Sequence, residues 1–399
     1  MLLMSMLLMG CASGPRCPGL PGAVPVERAF AAPGADWSGL EAALGEQVED
    51  ACLPAMGVAI VNADGVQYAA SYGWSDVNAG TAIEAESPFL LASVSKLVLG
   101  LSLVQAEDEG ALSLDDPVQD HLGFVLADPR QGEVIRLSHL ATHHSGIRDN
   151  WAVLDKLYVD GDSPVALGAF MEQHLAEGGR WYTPDRSFAS WAPGEGSTYS
   201  NVGASLGALA VQGAVGEDYA AWSRDRFFTP LGMEHTGWFL ADLPADVAVA
   251  RPTTRTGGGT WRVHEHYGFP TYPDGQLRSS AGDIGRLLSL ALAGGVWEGE
   301  RVMSQAAVER LLSEPHPELR AEVRSDGLVR QRVAWFDLKQ EGRTLTGHDG
   351  SEKGSTTRVF MDLEAGVGAV VLISTDTGQA ETAADAVLER LLGRGETGR

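Results

Sequence analysis

Residues 93–109 carry an apolar run that, wound as a helix, has almost no polar face. Leu97, Val98, Leu99, Leu101, Leu103 and Val104 point in nearly every direction. Such a helix must be covered on all sides, which makes it a buried central element. The chain is long enough to cover it. Its 399 residues fit one large two-lobed domain or two domains, and 44% hydrophobic residues supply a sizeable core and exclude a wholly disordered chain.

The same helix opens with Ser93-Val94-Ser95-Lys96. Only four of the 29 basic residues are lysines: Lys96, Lys156, Lys339 and Lys353. A lysine between Phe89-Leu90-Leu91 and Leu97-Val98-Leu99 therefore needs an explanation. Residues i and i+3 share a helix face, so the Ser93 hydroxyl and the Lys96 amine can meet. A serine hydroxyl is a weak nucleophile without a base beside it, and a lysine serves as that base when burial lowers its pKa. The positive end of the helix favours negative charge developing at Ser93. The plainer alternative is an N-capping serine followed by a solvent-facing lysine.

Two further groups follow in order. Tyr199-Ser200-Asn201 is the single Y-x-N in the chain. It lies between a loop rich in Gly, Pro and Trp and an apolar helix expected over Val202–Gln212. There Tyr199 can relay a proton between Ser93, Lys96 and a leaving group, and Asn201 can bond Lys96 and the substrate. The plainer alternative is an ordinary helix start with Ser200 or Asn201 as cap. His348-Asp349-Gly350-Ser351 precedes a strand expected over Gly354–Met361. Its small residues would let a substrate lie along the strand edge, with the Ser351 and Ser93 N–H groups as an oxyanion hole. Other H-x-G triplets begin at His121, His144 and His266, so the alternative here is a glycine-rich turn with a surface histidine.

Around these groups, a helix is expected from Trp37 to about Asp50. A hairpin follows, with Met56–Val61 and Val66–Tyr72 joined at an Asp64-Gly65 turn. A mostly helical lobe spans roughly residues 115–270. Strands Arg332–Lys339, Gly354–Met361 and Gly366–Ser374, with short connections, predict an antiparallel sheet, closed by a helix over Ala380–Leu392. The fold class is α+β: an α/β sandwich lobe built from both chain ends, with an antiparallel sheet flanked by helices, and an inserted helical lobe across a cleft.

The formal net charge of −24 argues against nucleic acid as a partner and for a solvated acidic surface. The opening MLLMSMLLMG is too short to span a bilayer but matches the apolar part of an export signal, though it lacks a basic start. Leu8-Met9-Gly10-Cys11 resembles a bacterial lipoprotein cleavage box, which implies a lipid anchor at Cys11. A plain secretory signal is the alternative. Residues 12–34 read as a Gly- and Pro-rich tether, so residues 1–34 are leader and tether and 35–399 the folded domain. With Cys11 set aside, Cys17 and Cys52 form an even pair that an exported protein can oxidise. No Cys/His cluster points to a metal.

The three groups in this order resemble the serine β-lactamase and penicillin-recognising family, in its class C β-lactamase, DD-peptidase and esterase branch. The stretches 110–117, 140–147 and 274–283 resemble that branch's recurring loops. The resemblance implies a β-lactamase/transpeptidase-like fold and an acyl-enzyme on Ser93. It implies Lys96 and Tyr199 as acid and base, Asn201 in support, His348 in the third box and the Ser351 N–H in the oxyanion hole. It makes His143 and His144 scaffold. No metal or organic cofactor is needed, and the partner is a small-molecule or peptide substrate. One departure stands out: the β-lactamases usually carry a lysine where His348 stands. A histidine with pKa near 6.5 is mostly neutral at pH 7 and attracts an anionic β-lactam weakly, unless Arg358 or Lys353 compensates. This shifts the expectation from β-lactamase toward peptidase or esterase, with a catalytically silent wall-binding or scaffold protein as the third reading. The loops around Trp151, Trp181 and Trp191 are expected to build the pocket, with the tryptophans lining an apolar acyl site or, alternatively, packed in the core.

Overall fold

The computed structural model describes residues 17–130, 133–319, 322–324 and 327–397. The expected lipid site at Cys11 lies outside them. The framework strands are β1 (Val26–Ala31), β2 (Ala55–Asn62), β3 (Gly65–Asp76), β4 (Glu322–Arg324), β5 (Gly327–Gln331), β6 (Phe336–Gln340), β7 (Arg343–Glu352), β8 (Ser355–Asp362) and β9 (Val367–Ile373). With a short Thr81–Ala82 strand on β3, they make a ten-stranded antiparallel sheet among the described residues. The order is β1-β3-β2-β9-β8-β7-β6-β5-β4. The N- and C-terminal parts of the chain thus meet inside the sheet, where β2 pairs with β9.

β2 (AMGVAIVN) and β9 (VGAVVLI) are buried along their length because both faces of the sheet are covered. The covering helices are among α1 (Ser38–Asp50), α2 (Lys96–Asp108), α3 (Asn201–Val215), α4 (Ala281–Leu292) and α5 (Gly378–Thr397). On one face Leu40, Leu44 and Val48 of α1 and Val387, Leu388 and Leu391 of α5 pack with Val58, Ile60 and Val371. On the other, α4 packs against Ala59, Val61 and Val370, and this core runs on into α2, α3 and the helical lobe. Every residue of α2 from Lys96 to Ala106 is buried, as its apolar pattern requires.

Several expectations shift in detail. The first hairpin turns at Ala63-Asp64, and Gly65 already pairs with Asn62. Residues 26–31, expected within a tether, form β1 on β3, because the Gly- and Pro-rich composition stops at Pro25 and VERAFA can pair with an open strand edge. The inserted lobe also carries small hairpins, such as Thr253–Arg255 with Trp261–Val263. The largest correction concerns β7. His348 and Ser351 do precede the expected strand, here β8, but they also lie within a strand of their own, ten residues long. Its sequence RTLTGHDGSE has little strand signal, since it is held by β6 and β8 on its flanks rather than by propensity.

Cys17 and Cys52 are joined as a disulfide, packed with Trp74, Val77 and Trp261. It ties the segment before β1 to the end of α1 across 35 residues of sequence. Replacing both cysteines by serine is expected to lower the unfolding free energy by about 2–4 kcal/mol. Denaturant titration of wild type with and without reductant, beside the double variant, checks it; coincident curves would contradict it.

Candidate active site

Ser93 sits in a 3-10 turn, Ala92–Ser95, that leads into α2 at Lys96. The turn is stitched down from three sides. Ser355 and Thr357 of β8 donate their hydroxyls to the carbonyls of Leu90 (2.6 Å) and Leu91 (2.8 Å). Ser95, at the position of the α2 N-cap, does not cap the helix: its hydroxyl donates to the Ala92 carbonyl (2.7 Å) and accepts the Leu277 N–H (3.1 Å). Ala92 is held at φ +50°, a left-handed conformation that costs a residue with a Cβ about 1 kcal/mol or more. This strain turns the chain so that the next residue, Ser93, lines the cleft.

β6 pairs with β7 only as far as Gly347, so from His348 onward β7 has a strand partner on one side. The nucleophile turn fills the other side. Gly350 makes this approach possible: a Cβ there would lie 2.6 Å from the Leu91 carbonyl and 3.0 Å from the Ser93 N. Ser351, next along, lines the cleft beside Ser93.

Lys96 is fully buried, and its Nζ donates to Ser93 Oγ (3.2 Å), Asn201 Oδ1 (2.8 Å) and the Asp274 carbonyl (2.7 Å). An ammonium has three protons to donate, and all three are placed. Asn201 is aimed by Asp149, whose carboxylate accepts its side-chain and backbone N–H (both 3.0 Å), the Val202 N–H (3.0 Å) and the Ser200 hydroxyl (3.2 Å). Asp149 thus neutralises the N-terminus of α3 and fixes the amide that holds Lys96.

Tyr199 is packed over this pair, with Lys96 Nζ 4.9 Å from its ring centroid. Burial raises its pKa, while the Lys96 charge and the Lys96 and Ser93 hydrogen-bonding groups pull it back down. Its hydroxyl lacks a hydrogen-bond partner of ordinary geometry. The His143 ring lies 4.4 Å from the Tyr199 ring, and its Nδ1 accepts the Ser200 N–H (3.2 Å). Burial, then the charge of Lys96, hold His143 well below its usual pKa. It is therefore a neutral support for Tyr199, as expected of scaffold.

His348 departs from expectation. It is buried, edge-on to Tyr199 (6.4 Å between ring centroids) and to Phe336 (4.9 Å), and does not line the cleft. Its ring packs against Tyr199 and Phe336. Arg358 does not compensate, since it bonds Asp385 (2.7 Å). Lys353 lies over the Tyr267 ring (6.0 Å) and faces a neighbouring depression. The arginine among the cleft-lining residues is Arg148, just before Asp149.

The cleft has a volume of about 440 Å³. Ser93, Tyr199, Asn201 and Ser351 line it, as does Trp151, beside Leu154, Leu157, Tyr158 and Phe269. Trp181 and Trp191 do not line it: Trp181 packs on Phe170 (5.6 Å), and the Trp191 carbonyl accepts from Arg130 (2.8 Å). The sequence reading missed Asp149 and Asp274. Both sit in or beside the stretches that resemble recurring loops, 140–147 and 274–283, which was the available signal. Among the described residues, no group of three or more His, Cys, Asp or Glu is placed to hold a metal ion.

Two predictions follow from these carboxylates. Asp149→Ala is expected to cost about 1–2 kcal/mol of stability, as loss of a helix cap does, and to slow acylation of Ser93 through the loosened Asn201. Thermal melts and labelling rates check it; an unchanged labelling rate would contradict the link through Asn201. Asp274 is buried, accepts from Ser205 Oγ (3.1 Å), and has its pKa raised by burial from 3.8 to about 7. Between those values the native state keeps a proton the unfolded chain has released, so this group's contribution to stability falls as pH rises through the window. Asp274→Asn is expected to flatten that fall, measured by denaturation across about pH 4–8.

The family model described as Beta-lactamase matches residues 40–394. Penicillin-binding protein 4 of Amycolatopsis lactamdurans is 26% identical over 338 residues, covering 79% of this chain and 78% of that protein. Esterase EstB of Burkholderia gladioli is 33% identical over 197 residues, covering 46% of this chain and 47% of that protein. Several curated relatives are, like the esterase, matched over about half their length or less. Among solved structures, D-amino acid amidase from Ochrobactrum anthropi SV3 superposes with a TM-score of 0.69 at 19% identity, covering 90% of this chain and 99% of that one. The fold is β-lactamase/transpeptidase-like, and the chain belongs to the beta-lactamase family of serine hydrolases.

Proposed function

We propose that this chain cleaves an amide or ester through an acyl-enzyme on Ser93, as a peptidase or esterase rather than a β-lactamase. The observation that carries this is the Lys96 ammonium, buried and 3.2 Å from Ser93 Oγ, with the Tyr199 ring above it. Lys96 Nζ is held by Ser93, Asn201 and Asp274 at bonding distance, so it is fixed beside the nucleophile. Lys96 and Tyr199 together form the base in this reading, since the Tyr199 ring lies over Lys96 Nζ and both stand beside Ser93. Ser93 Oγ forms a bond to the substrate carbonyl carbon and gives its proton to the pair. The carbonyl oxygen takes the negative charge between the N–H groups of Ser93 and Ser351. Collapse breaks the C–N or C–O bond, and the leaving group takes the proton from Tyr199. Water then attacks the acyl carbon by the same route and frees Ser93.

The absence of a lysine at His348 supports the ranking of β-lactams below peptides and esters. A silent binding protein has no use for a serine wired to a buried ammonium. We further take residues 35–399 as one hydrolase domain, with the helical lobe at roughly 115–270, although β1 extends the packed part before residue 35. Export, with Cys11 lipidated, is part of the same reading. It is supported by the leader-like opening and by the Cys17–Cys52 disulfide, which persists in oxidising compartments. No described helix is long and apolar enough to cross a membrane.

A fluorophosphonate probe with intact mass is expected to label wild type and not Ser93→Ala. Tyr199→Phe and Lys96→Ala should each slow ester hydrolysis by about a hundred- to ten-thousand-fold. Turnover of nitrocefin should be slower than that of a p-nitrophenyl ester. Labelling that survives in Ser93→Ala sinks the assignment, and rapid nitrocefin turnover reverses the ranking.

A further inference from the structure

The cleft continues past the nucleophile along β7. Side chains alternate on a strand, so Glu352 shares the face of Gly350, roughly 7 Å further along. Gly350 abuts the Ser93 N, and Glu352, like Ser93, lines the cleft. The Glu352 carboxylate is fixed by neutral donors. Tyr158 Oη donates to Oε2 (2.8 Å) and the Lys353 backbone N–H to Oε1 (2.8 Å). Each oxygen keeps a free lone pair. Among the described residues, no Lys, Arg or His forms a salt bridge with it.

The walls beside this carboxylate are aromatic. The Tyr158 ring lies 4.9 Å from Phe269 and 5.7 Å from Tyr267. Aromatic faces next to a carboxylate attract a cation. The local field has the same sign: the Tyr158 pKa is raised by burial, then by the charges of Glu352 and Asp274. One cation is near: Lys353 Nζ lies 6.0 Å from the Tyr267 ring, and the Tyr158 and Phe269 rings are the remaining aromatic surface. The Lys353 ammonium faces the adjoining depression, and Arg148 enters from the helical lobe beside Asp149 and Trp151.

We propose that Glu352 binds a primary ammonium on the acyl part of the substrate, so that the enzyme selects aminoacyl donors over N-blocked ones. The proposal rests on the reading of Ser93 as the acylated residue. Tyr158 positions the carboxylate, and with Glu352 it bridges the two lobes at this end of the cleft, which leaves room for a short acyl group. A free amine near the scissile carbonyl then reaches Glu352, whereas its acetamide brings no charge and extra bulk.

The test uses the p-nitroanilides of D- and L-alanine and D- and L-phenylalanine, each with a free amine and N-acetylated. Wild type is expected to favour the free amine in kcat/KM by about tenfold or more, the value of one charge-assisted hydrogen bond. Glu352→Gln should lower that ratio about ten- to a hundredfold. Tyr158→Phe, which releases the carboxylate without removing it, should lower the ratio less. A wild type that favours the N-acetyl forms overturns the proposal. So does a ratio unchanged in Glu352→Gln, or no turnover of any anilide while the fluorophosphonate probe still labels Ser93. Failure of wild type to take the label at Ser93 overturns the underlying reading instead.

Discussion

The Lys96 ammonium is the point on which the rest of the site depends. A buried charge is very unfavourable unless each of its protons meets an acceptor. Its three acceptors come from three places: the turn before α2, the start of α3 and the loop at Asp274. None of these is close to the others in sequence. The helical lobe must therefore dock on the sheet lobe in one arrangement for Lys96 to be satisfied. Asp149 extends the same constraint, since it aims Asn201 and caps α3 with one carboxylate.

The sheet lobe answers with strain and close packing. Ala92 is forced to positive φ, and hydroxyls of β8 hold the two carbonyls before it. Gly350 lets β7 run against the Ser93 backbone where any side chain would collide with Leu91. Such strain persists only where surrounding contacts over-determine it. Here it holds Ser93 and Ser351 beside one cleft before any substrate arrives, so little reorganisation is left to the reaction.

The parts legible in the sequence were those with a local pattern. The all-round apolar helix gave α2, and the sole S-x-x-K and Y-x-N gave Ser93, Lys96, Tyr199 and Asn201, which the structure brings together. What escaped was fixed by tertiary contact. β7 reads as a polar, glycine-rich stretch because its glycines let backbone approach backbone, and few of its buried side chains are apolar. The side-chain direction of His348 depends on that strand, so its packing against Tyr199 and Phe336 could not be read from an H-x-G triplet. Asp149, Asp274 and Glu352 are three of 53 acidic residues; the loop-like stretches 140–147 and 274–283 point near the first two, but only folded contacts separate a carboxylate that caps or accepts from one that is merely solvated.

Electrostatics at two scales then bear on the substrate. At long range, a chain with net charge −24 repels anions and draws cations. This effect is screened beyond about 8 Å at physiological salt, so the groups in the cleft matter more. There the Lys96 charge is already spent on three acceptors. The position that would hold a lysine in the β-lactamases holds a buried histidine instead. Arg148 remains, but it shares the cleft with Asp149, Asp274 and Glu352. An anionic β-lactam would meet a weaker positive field than a lysine-bearing third box provides. A substrate carrying an ammonium meets a fixed carboxylate between aromatic walls, and long-range and local fields then favour the same ligand.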